Sequence, residues 1–361
     1  MNNHREIYVA EQLPVSQNRI FHSEQEARNC VRSDIILVQD MSTGLIFNRS
    51  FDPALLQYDA DYQNEQALSK VFQHHLANVL DVILRHFCDH SLIEVGCGKG
   101  YFLEQLQSNG YSVTGLDPAY EGSNPAIRKE YFSPEIGIQA EGIIMRHVLE
   151  HVINPLDFLF NILKSNNGVG KIYIEVPCFD WICKQHAWFD IFYEHVNYFK
   201  LDDFDRIFGE IYESGHTFGG QYLYVVANLA TLRRPDPDAI SVLEFPNDFL
   251  SSVGKHAARL SSQNHENRSK AAIWGGASKG VIFALFMQRA GVNLDIVIDI
   301  NPAKQGKYLP VTGFKVYSPT DAVKALAPGA ELFVMNSNYL NEIKMLTQNQ
   351  FKYLLVDNED I

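Results

Sequence analysis

Paired cysteines are missing from this 361-residue chain. It holds five cysteines but no Cys-x-x-Cys pair, which excludes a zinc ribbon and a thioredoxin-type redox centre. Cys178 and Cys183 stand closest, and no second pair accompanies them. All five read as reduced thiols, as expected of a cytoplasmic protein. No run of about 18 apolar residues occurs, so no membrane-spanning helix is expected. Met1-Asn-Asn-His-Arg-Glu leads into no apolar signal core. Basic residues are few: 30 Lys and Arg stand against 43 Asp and Glu, a net charge of −13 that repels phosphate backbones and anionic lipid. Neither a nucleic acid nor a membrane is therefore an expected partner. A small-molecule substrate remains, anionic ones included, because a pocket can differ in sign from the whole. With 46% hydrophobic and 20% charged residues, bulk disorder is excluded, and the length predicts two or three domains.

Residues 1–65 are the least legible. Ile35–Val38 and Leu45–Phe47 read as short strands around the turn Met41-Ser-Thr-Gly44. From Gln66 to about Phe87, apolar residues at Leu68, Val71, Phe72, Leu76, Val79, Leu80 and Ile83 recur at helical spacing. Strands then alternate with helices: Leu92–Val95, Ser112–Leu116, Gly142–Met145 and Lys171–Val176. That order predicts a parallel sheet covered by helices on both faces. Arg233-Arg-Pro-Asp-Pro-Asp238 interrupts the pattern as a hinge, and Phe249–Gln263 reads as a connecting helix. A second, smaller α/β unit follows, with strands at Ala271–Trp274, Asp295–Asp299, Glu331–Met335 and Tyr353–Val356. The expected division is 1–65, 66–232, 233–263 and 264–361.

Three motifs carry chemistry. The first is Gly96-x-Gly98-x-Gly100, placed between a strand and a helix and followed by a strand that ends on Asp117 and Pro118. Glycines let the backbone turn sharply and approach a ligand closely, and a strand-end aspartate suits the two hydroxyls of a ribose. With Glu94 at the strand end, the spacing differs from the Gly-x-Gly-x-x-Gly of dinucleotide enzymes. It resembles the first motif of class I S-adenosylmethionine (SAM) methyltransferases. The second motif, Arg146-His-Val-Leu-Glu-His151, ends the strand from Gly142 and so lies at the carboxyl edge of the sheet, where ligands of such folds bind. It looks like the fourth-strand motif of that family, and the resemblance puts Arg146 and His147 beside the methionine part of the cofactor. The third motif gathers Tyr193, Glu194, His195 and Tyr198 within six residues, and a histidine titrating near neutrality suits proton abstraction.

These stretches, with Glu175-Val-Pro177, Trp274-Gly-Gly-Ala-Ser-Lys-Gly280 and Asp299–Pro310, resemble the sugar C-methyltransferases, which methylate a carbon next to a ketone in nucleotide-linked deoxysugars. The resemblance runs from about Ser50 to the end. It implies a Rossmann-like α/β methyltransferase domain, a smaller Rossmann-like C-terminal domain that covers the site, and a short N-terminal segment. The family's N-terminal zinc domain lacks its cysteines here: Asp40-Met-Ser-Thr-Gly44 stands where Cys-x-x-Cys-Gly belongs.

The expected cofactor is SAM, leaving as S-adenosylhomocysteine (SAH), with no metal. Glu94, Gly96, Gly98, Gly100, Asp117, Pro118, Arg146 and His147 are the expected cofactor residues. For catalysis the expectation is His195 as base, Glu194 or Tyr193 as its partner, and His151 or His147 as enolate stabiliser or alternative base. Tyr58, Tyr62, Tyr198, Lys279 and Lys304 are candidates for the acceptor, and the chain is expected to be a monomer or homodimer. O-, N- or S-methylation of a non-sugar natural-product intermediate is the alternative. A catalytically silent SAM-binding scaffold and a nicotinamide-dependent oxidoreductase are less well matched.

Overall fold

Short apolar segments buried on both faces set up the central sheet. In the computed structural model, which describes residues 3–56, 61–63, 65–88, 91–137, 139–266 and 270–357, seven strands lie side by side. Their order is Ile211–Thr217, Tyr222–Asn228, Lys171–Pro177, Gly142–Arg146, Ser91–Val95, Ser112–Leu116 and Ile127–Arg128. The strands from Lys171–Pro177 to Ile127–Arg128 run parallel. Tyr222–Asn228 is antiparallel to both of its neighbours. The chain builds outward from Ser91–Val95 and then returns to its other side at Gly142–Arg146. Strand order therefore reverses between these two, and ligands of open α/β sheets bind outside the carboxyl ends at such a point. This is a Rossmann-like α/β fold, as the alternation of strands and helices anticipates.

The helix read from Gln66 runs from Lys70 to His86. It starts there because the Ser69 hydroxyl accepts from Val71 N and Phe72 N, capping the first turn. Its buried face is Phe72, His75, Leu76, Val79, Val82 and Ile83. The connecting helix occupies Ser251–Glu266.

The C-terminal unit is a five-stranded parallel sheet ordered Val316–Tyr317, Ile296–Ile298, Ala272–Trp274, Glu331–Val334 and Lys352–Leu355. Val316–Tyr317, two residues long, is the strand the sequence did not reveal. The two α/β units share one device. In each, the aspartate after the second strand accepts a glycine N–H from the turn after the first: Asp117 from Gly98 at 2.8 Å, and Asp299 from Gly276 at 3.0 Å.

The N-terminal segment is built from strand pairing and apolar packing. His4–Pro14, Arg32–Asp40 and Ile46–Asn48 form an antiparallel sheet completed by Asn197–Tyr198. At the turn where the family carries cysteines, the Asp40 carboxylate accepts from Ser42 N, Ser42 Oγ and Thr43 Oγ1 at 2.6–2.9 Å. Tyr8, Leu13, Ile35, Leu37 and Ile46 share one apolar core with Trp188, Phe189, Phe283 and Phe333 of the later segments. Burial of apolar surface at about 25 cal/mol per Å² holds this segment to the rest of the chain. Packing also fixes the segment over the C-terminal unit, where Arg289 donates to Glu11 O at 2.8 Å and Tyr308 N to Phe21 O at 3.1 Å.

Candidate active site

The glycine turn begins where Val95 leaves the sheet. Gly96, Gly98 and Gly100 adopt φ of +71°, +57° and +82°, a region that side chains disfavour. A Cβ on Gly96 would stand 2.3 Å from Val148 Cγ2, and one on Gly100 2.6 Å from Ile127 Cδ1, so both positions are closed to larger residues. Asp117 steadies the turn, accepting from Gly98 N and Ala119 N at 2.8 Å each. Burial raises its pKa, opposed by these two amides. Pro118 follows it at the half-buried mouth of the turn.

Behind the turn lies a buried charged cluster. Burial pushes the Glu94 carboxyl up to about 8, although Arg146 opposes the shift, and its Oε2 has no hydrogen-bond partner. Arg146 lies 5.0 Å over the Phe102 ring, with an unpartnered Nε. Its Nη2 reaches Glu175 Oε1 at 3.3 Å. Glu175 is the centre of this cluster, a role the sequence alone does not assign to it. Fully buried inside a strand, it also meets His75 Nε2 at 3.0 Å, His147 Nε2 at 3.1 Å and Tyr173 OH at 2.8 Å. Burial alone would raise its pKa, but Arg146, His147 and His75 hold it well below the usual carboxylate range. Burial likewise disfavours a charged His147, yet Glu150 and Glu175 raise it to about 9. In the sequence Glu175 opens the Glu175-Val-Pro177 stretch and interrupts the apolar run Ile172–Val176, but neither pattern assigns it a role.

A cavity of about 230 Å³ opens beside His147, walled by the carboxyl edges of both parallel sheets and by the N-terminal segment. His147, Glu150, His151, Glu194, His195 and Tyr62 line one side. Asn18, Ser278, Lys279, Asp299 and Lys304 line the other. Glu194 is locked in place, because its carboxylate accepts from Gln17 N at 2.8 Å and Tyr62 OH at 3.0 Å. Burial raises its pKa against the influence of His151 and Tyr62. His195 is 8% exposed and packs 4.0 Å from the Phe192 ring, with an unpartnered Nδ1. Burial, then His151, His147 and Lys279, push its pKa well below the ordinary histidine value, so the ring is neutral at pH 7. Lys279 meets Asp190 Oδ2 at 2.9 Å and Gln221 Oε1 at 2.8 Å. Lys304 donates to Asn18 Oδ1 at 3.1 Å, and burial lowers its pKa.

Two expected site residues lie away from the cavity wall. The Tyr193 hydroxyl accepts from Asp52 N at 2.7 Å and donates to Ser50 O at 3.4 Å, and its ring stacks on Phe51. It ties the N-terminal segment down and does not partner His195. Tyr198 is buried, its hydroxyl bonding Phe192 N and O at 3.1 Å. Both aromatics flank His195 in sequence, and the bend of the loop turns them inward while His195 faces the cavity. Tyr58 lies outside the described residues.

Residues 61–211, which carry the glycine turn, Arg146–His151 and His195, match the family described as "Methyltransferase domain". This segment is a methyltransferase domain. The methyl donor expected of it from the sequence is SAM, leaving as SAH. The glycine turn, the Glu94 carboxyl with its unpartnered Oε2 and the strand-end Asp117 form a donor set that fits such a ligand, with its ammonium and ribose hydroxyls. Similar solved structures include a protein from Pyrococcus horikoshii at 12% identity, covering 48% of this chain and 99% of its own (TM-score 0.36). A SAM-dependent methyltransferase from Mesorhizobium loti is 13% identical over 44% of this chain and 99% of its own (TM-score 0.33). The plantazolicin methyltransferase BpumL, solved with SAH, is 15% identical over 44% of this chain and 83% of its own (TM-score 0.33). No curated protein matches the chain.

Proposed function

We propose that the enzyme methylates a carbon next to a carbonyl in a sugar nucleotide or a related small metabolite. The observation that carries this reading is His195, an imidazole whose pKa burial holds low, on the wall of a cavity that Lys279 and Lys304 also line, with a backbone-anchored carboxylate before it. In this reading residues 66–232 do the chemistry, and 264–361 form the cover, joined by 233–263.

The donor supplies a methyl group already activated on sulfonium sulfur. Gly98, with nothing within 4 Å of where a Cβ would stand, leaves room for it, while Gly96 and Gly100 make the turn that packs on Val148 and Ile127; Asp117 takes its ribose hydroxyls, and Glu94 and Arg146 face its charged amino-acid end. His195 accepts the proton from the acceptor carbon. A carbon acid needs a base that is unprotonated at working pH, and desolvation keeps this imidazole so. His147, held positive by Glu150 and Glu175, stands on the same wall and stabilises the developing enolate oxygen. Tyr62 closes over the acceptor while its hydroxyl holds Glu194. Lys279, paired with Asp190, and Lys304 are the lysines of the cavity that an anionic nucleotide group would meet.

Incubation with labelled SAM and a panel of 4-keto sugar nucleotides tests the reading. A product with a new C–CH₃ group by NMR is the expected result. Transfer only to hydroxyl, amine or thiol acceptors, with none of the ketones consumed, favours the O-, N- or S-methyltransferase alternative.

A further inference from the structure

Glu150 is given no direct part in that reaction, and its setting is unusual. It is 1% exposed, and neither carboxylate oxygen has a hydrogen-bond partner. His147 Nδ1 stands 3.4 Å from Oε1. That one cationic neighbour is shared with Glu175, which leaves the Glu150 carboxylate short of hydrogen bonds and compensated only in part, and a buried carboxylate so placed has room for a further positive ligand. Glu150, His151 and His195 each bring one donor atom toward a common point, all within 4.8 Å of one another. All three line the cavity.

The two segments that carry these donors are stitched together. Val196 N donates to Glu150 O at 2.8 Å, His151 Nδ1 to Glu194 O at 2.7 Å, and Asn197 Nδ2 to Val152 O at 2.5 Å. The His151 bond to a carbonyl puts a hydrogen on Nδ1, which leaves Nε2 as the nitrogen that can ligate. A ring nitrogen held by a backbone carbonyl while the other stays free is the usual arrangement of a metal-ligating histidine. On His195, Nδ1 is buried without a partner.

We infer that Glu150, His151 and His195 bind a divalent first-row transition-metal ion on the wall of the acceptor cavity. Two imidazoles and one carboxylate suit Mn²⁺, Fe²⁺, Co²⁺ or Zn²⁺ better than the all-oxygen preference of Mg²⁺ or Ca²⁺. Three protein ligands leave positions open toward the cavity. Metal–ligand bonds of about 2.1 Å set neighbouring donors about 3 Å apart, so the three side chains close inward by less than about 2 Å on loading.

The inference rests on the proposed carbonyl acceptor and changes how its proton is removed. The ion takes the carbonyl oxygen at one open position and a hydroxide at another, acting as Lewis acid and as carrier of the base. Hydroxide accepts the proton and becomes water, and the C–H electron pair becomes the C=C of the enolate. That carbon then bonds to the methyl group as the S–CH₃ bond breaks, its electrons remaining on sulfur. In the loaded enzyme His195 is a ligand; in the stripped enzyme it is itself the base.

The test uses the full chain, stripped with chelator and titrated with Co²⁺. One Co²⁺ per chain with a visible ligand-field band is expected, and the band should be lost in Glu150→Gln and in His151→Ala. SAH affinity, measured on both variants, reports that they are folded. Absence of stoichiometric uptake, or a band unchanged in both folded variants, overturns the site. Methyl transfer to a 4-keto sugar nucleotide should rise at least 10-fold when Co²⁺ or Mn²⁺ is restored. Equal rates with and without metal overturn the Lewis-acid role and leave His195 as the base. Stoichiometric Co²⁺ binding without transfer to any ketone overturns the proposed reaction and leaves the metal site standing.

Discussion

The His151 imidazole donates its Nδ1–H to the backbone carbonyl of Glu194 at 2.7 Å, and the His151 and His195 rings stand edge to face with centroids 5.1 Å apart. The loop after the fourth strand thereby sets the position of the residue placed at the chemical step. His195→Ala should lower turnover by roughly 10²-fold or more, because proton transfer is typically worth that much. SAH affinity should stay close to that of the parent, since the glycine turn is built from other residues. Turnover by isotope transfer and affinity by calorimetry check the two halves, and a normal rate in the variant removes His195 from the chemistry.

The pH profile follows from the same ring. Burial and the neighbouring His151, His147 and Lys279 depress the His195 pKa, so the base is switched off only below the ordinary histidine range near about 6.5. In the metal-free enzyme the acid limb of kcat/KM should lie below that value. Lys279→Met removes one of the nearby positive charges and should move the limb upward. A limb that stays fixed in the variant would show that Lys279 does not act on the titrating group.

Tyr193 separates structural from chemical roles. Its hydroxyl bonds Asp52 N and Ser50 O, away from the cavity. Tyr193→Phe should cost about 1 kcal/mol of stability, the usual net worth of one such hydrogen bond, with kcat nearly unchanged. Urea unfolding and steady-state kinetics on the one variant check both; a large fall in kcat with unaltered stability would return Tyr193 to the active site.

The contrast between Tyr193 and His195 marks what the sequence can carry. Glycine turns, strand-end acids and the Arg146–His151 stretch are local patterns, and the Gly98–Asp117 hydrogen bond appears where they put it. Whether a side chain in Phe189–Phe199 faces the core or the cavity depends on how the loop bends over Ser50 and Asp52, contacts more than 130 residues away. His4–Pro14 was illegible for a related reason. Its exposed charges and bulged register against Arg32–Asp40 hide the alternation, and its apolar face packs on residues far along the chain. His75 sits on a helix face that reads as simple core, and its partner Glu175 lies 100 residues on.

Glu175 is the hinge of the charged cluster. It is fully buried, and Arg146, His147 and His75 all face its Oε1. Removing one member of a buried ion pair leaves the others uncompensated, at about 3–5 kcal/mol. Glu175→Ala should lower stability by that order and weaken SAM binding, because Arg146 loses its anchor beside the glycine turn. Denaturant unfolding with and without SAH measures both effects. A loss below about 1 kcal/mol would mean that the cluster relaxes or takes in water freely.

Glu94 gives stability a pH dependence of definite sign. Its carboxyl is pushed up to about 8, against about 4.3 in an unfolded chain. Between these values the folded state keeps a proton that the unfolded state releases. The unfolded state then binds fewer protons, so stability falls as pH rises through this window, by about 1 kcal/mol per unit for one such group. Glu94→Gln cannot ionise and should lack this contribution. The stability difference between variant and parent should therefore shift in the variant's favour as pH goes from 5 to 8, read from urea unfolding at several pH values. Parallel curves for the two proteins would place a charged Glu94 in the folded enzyme throughout, with Arg146 then its compensating partner.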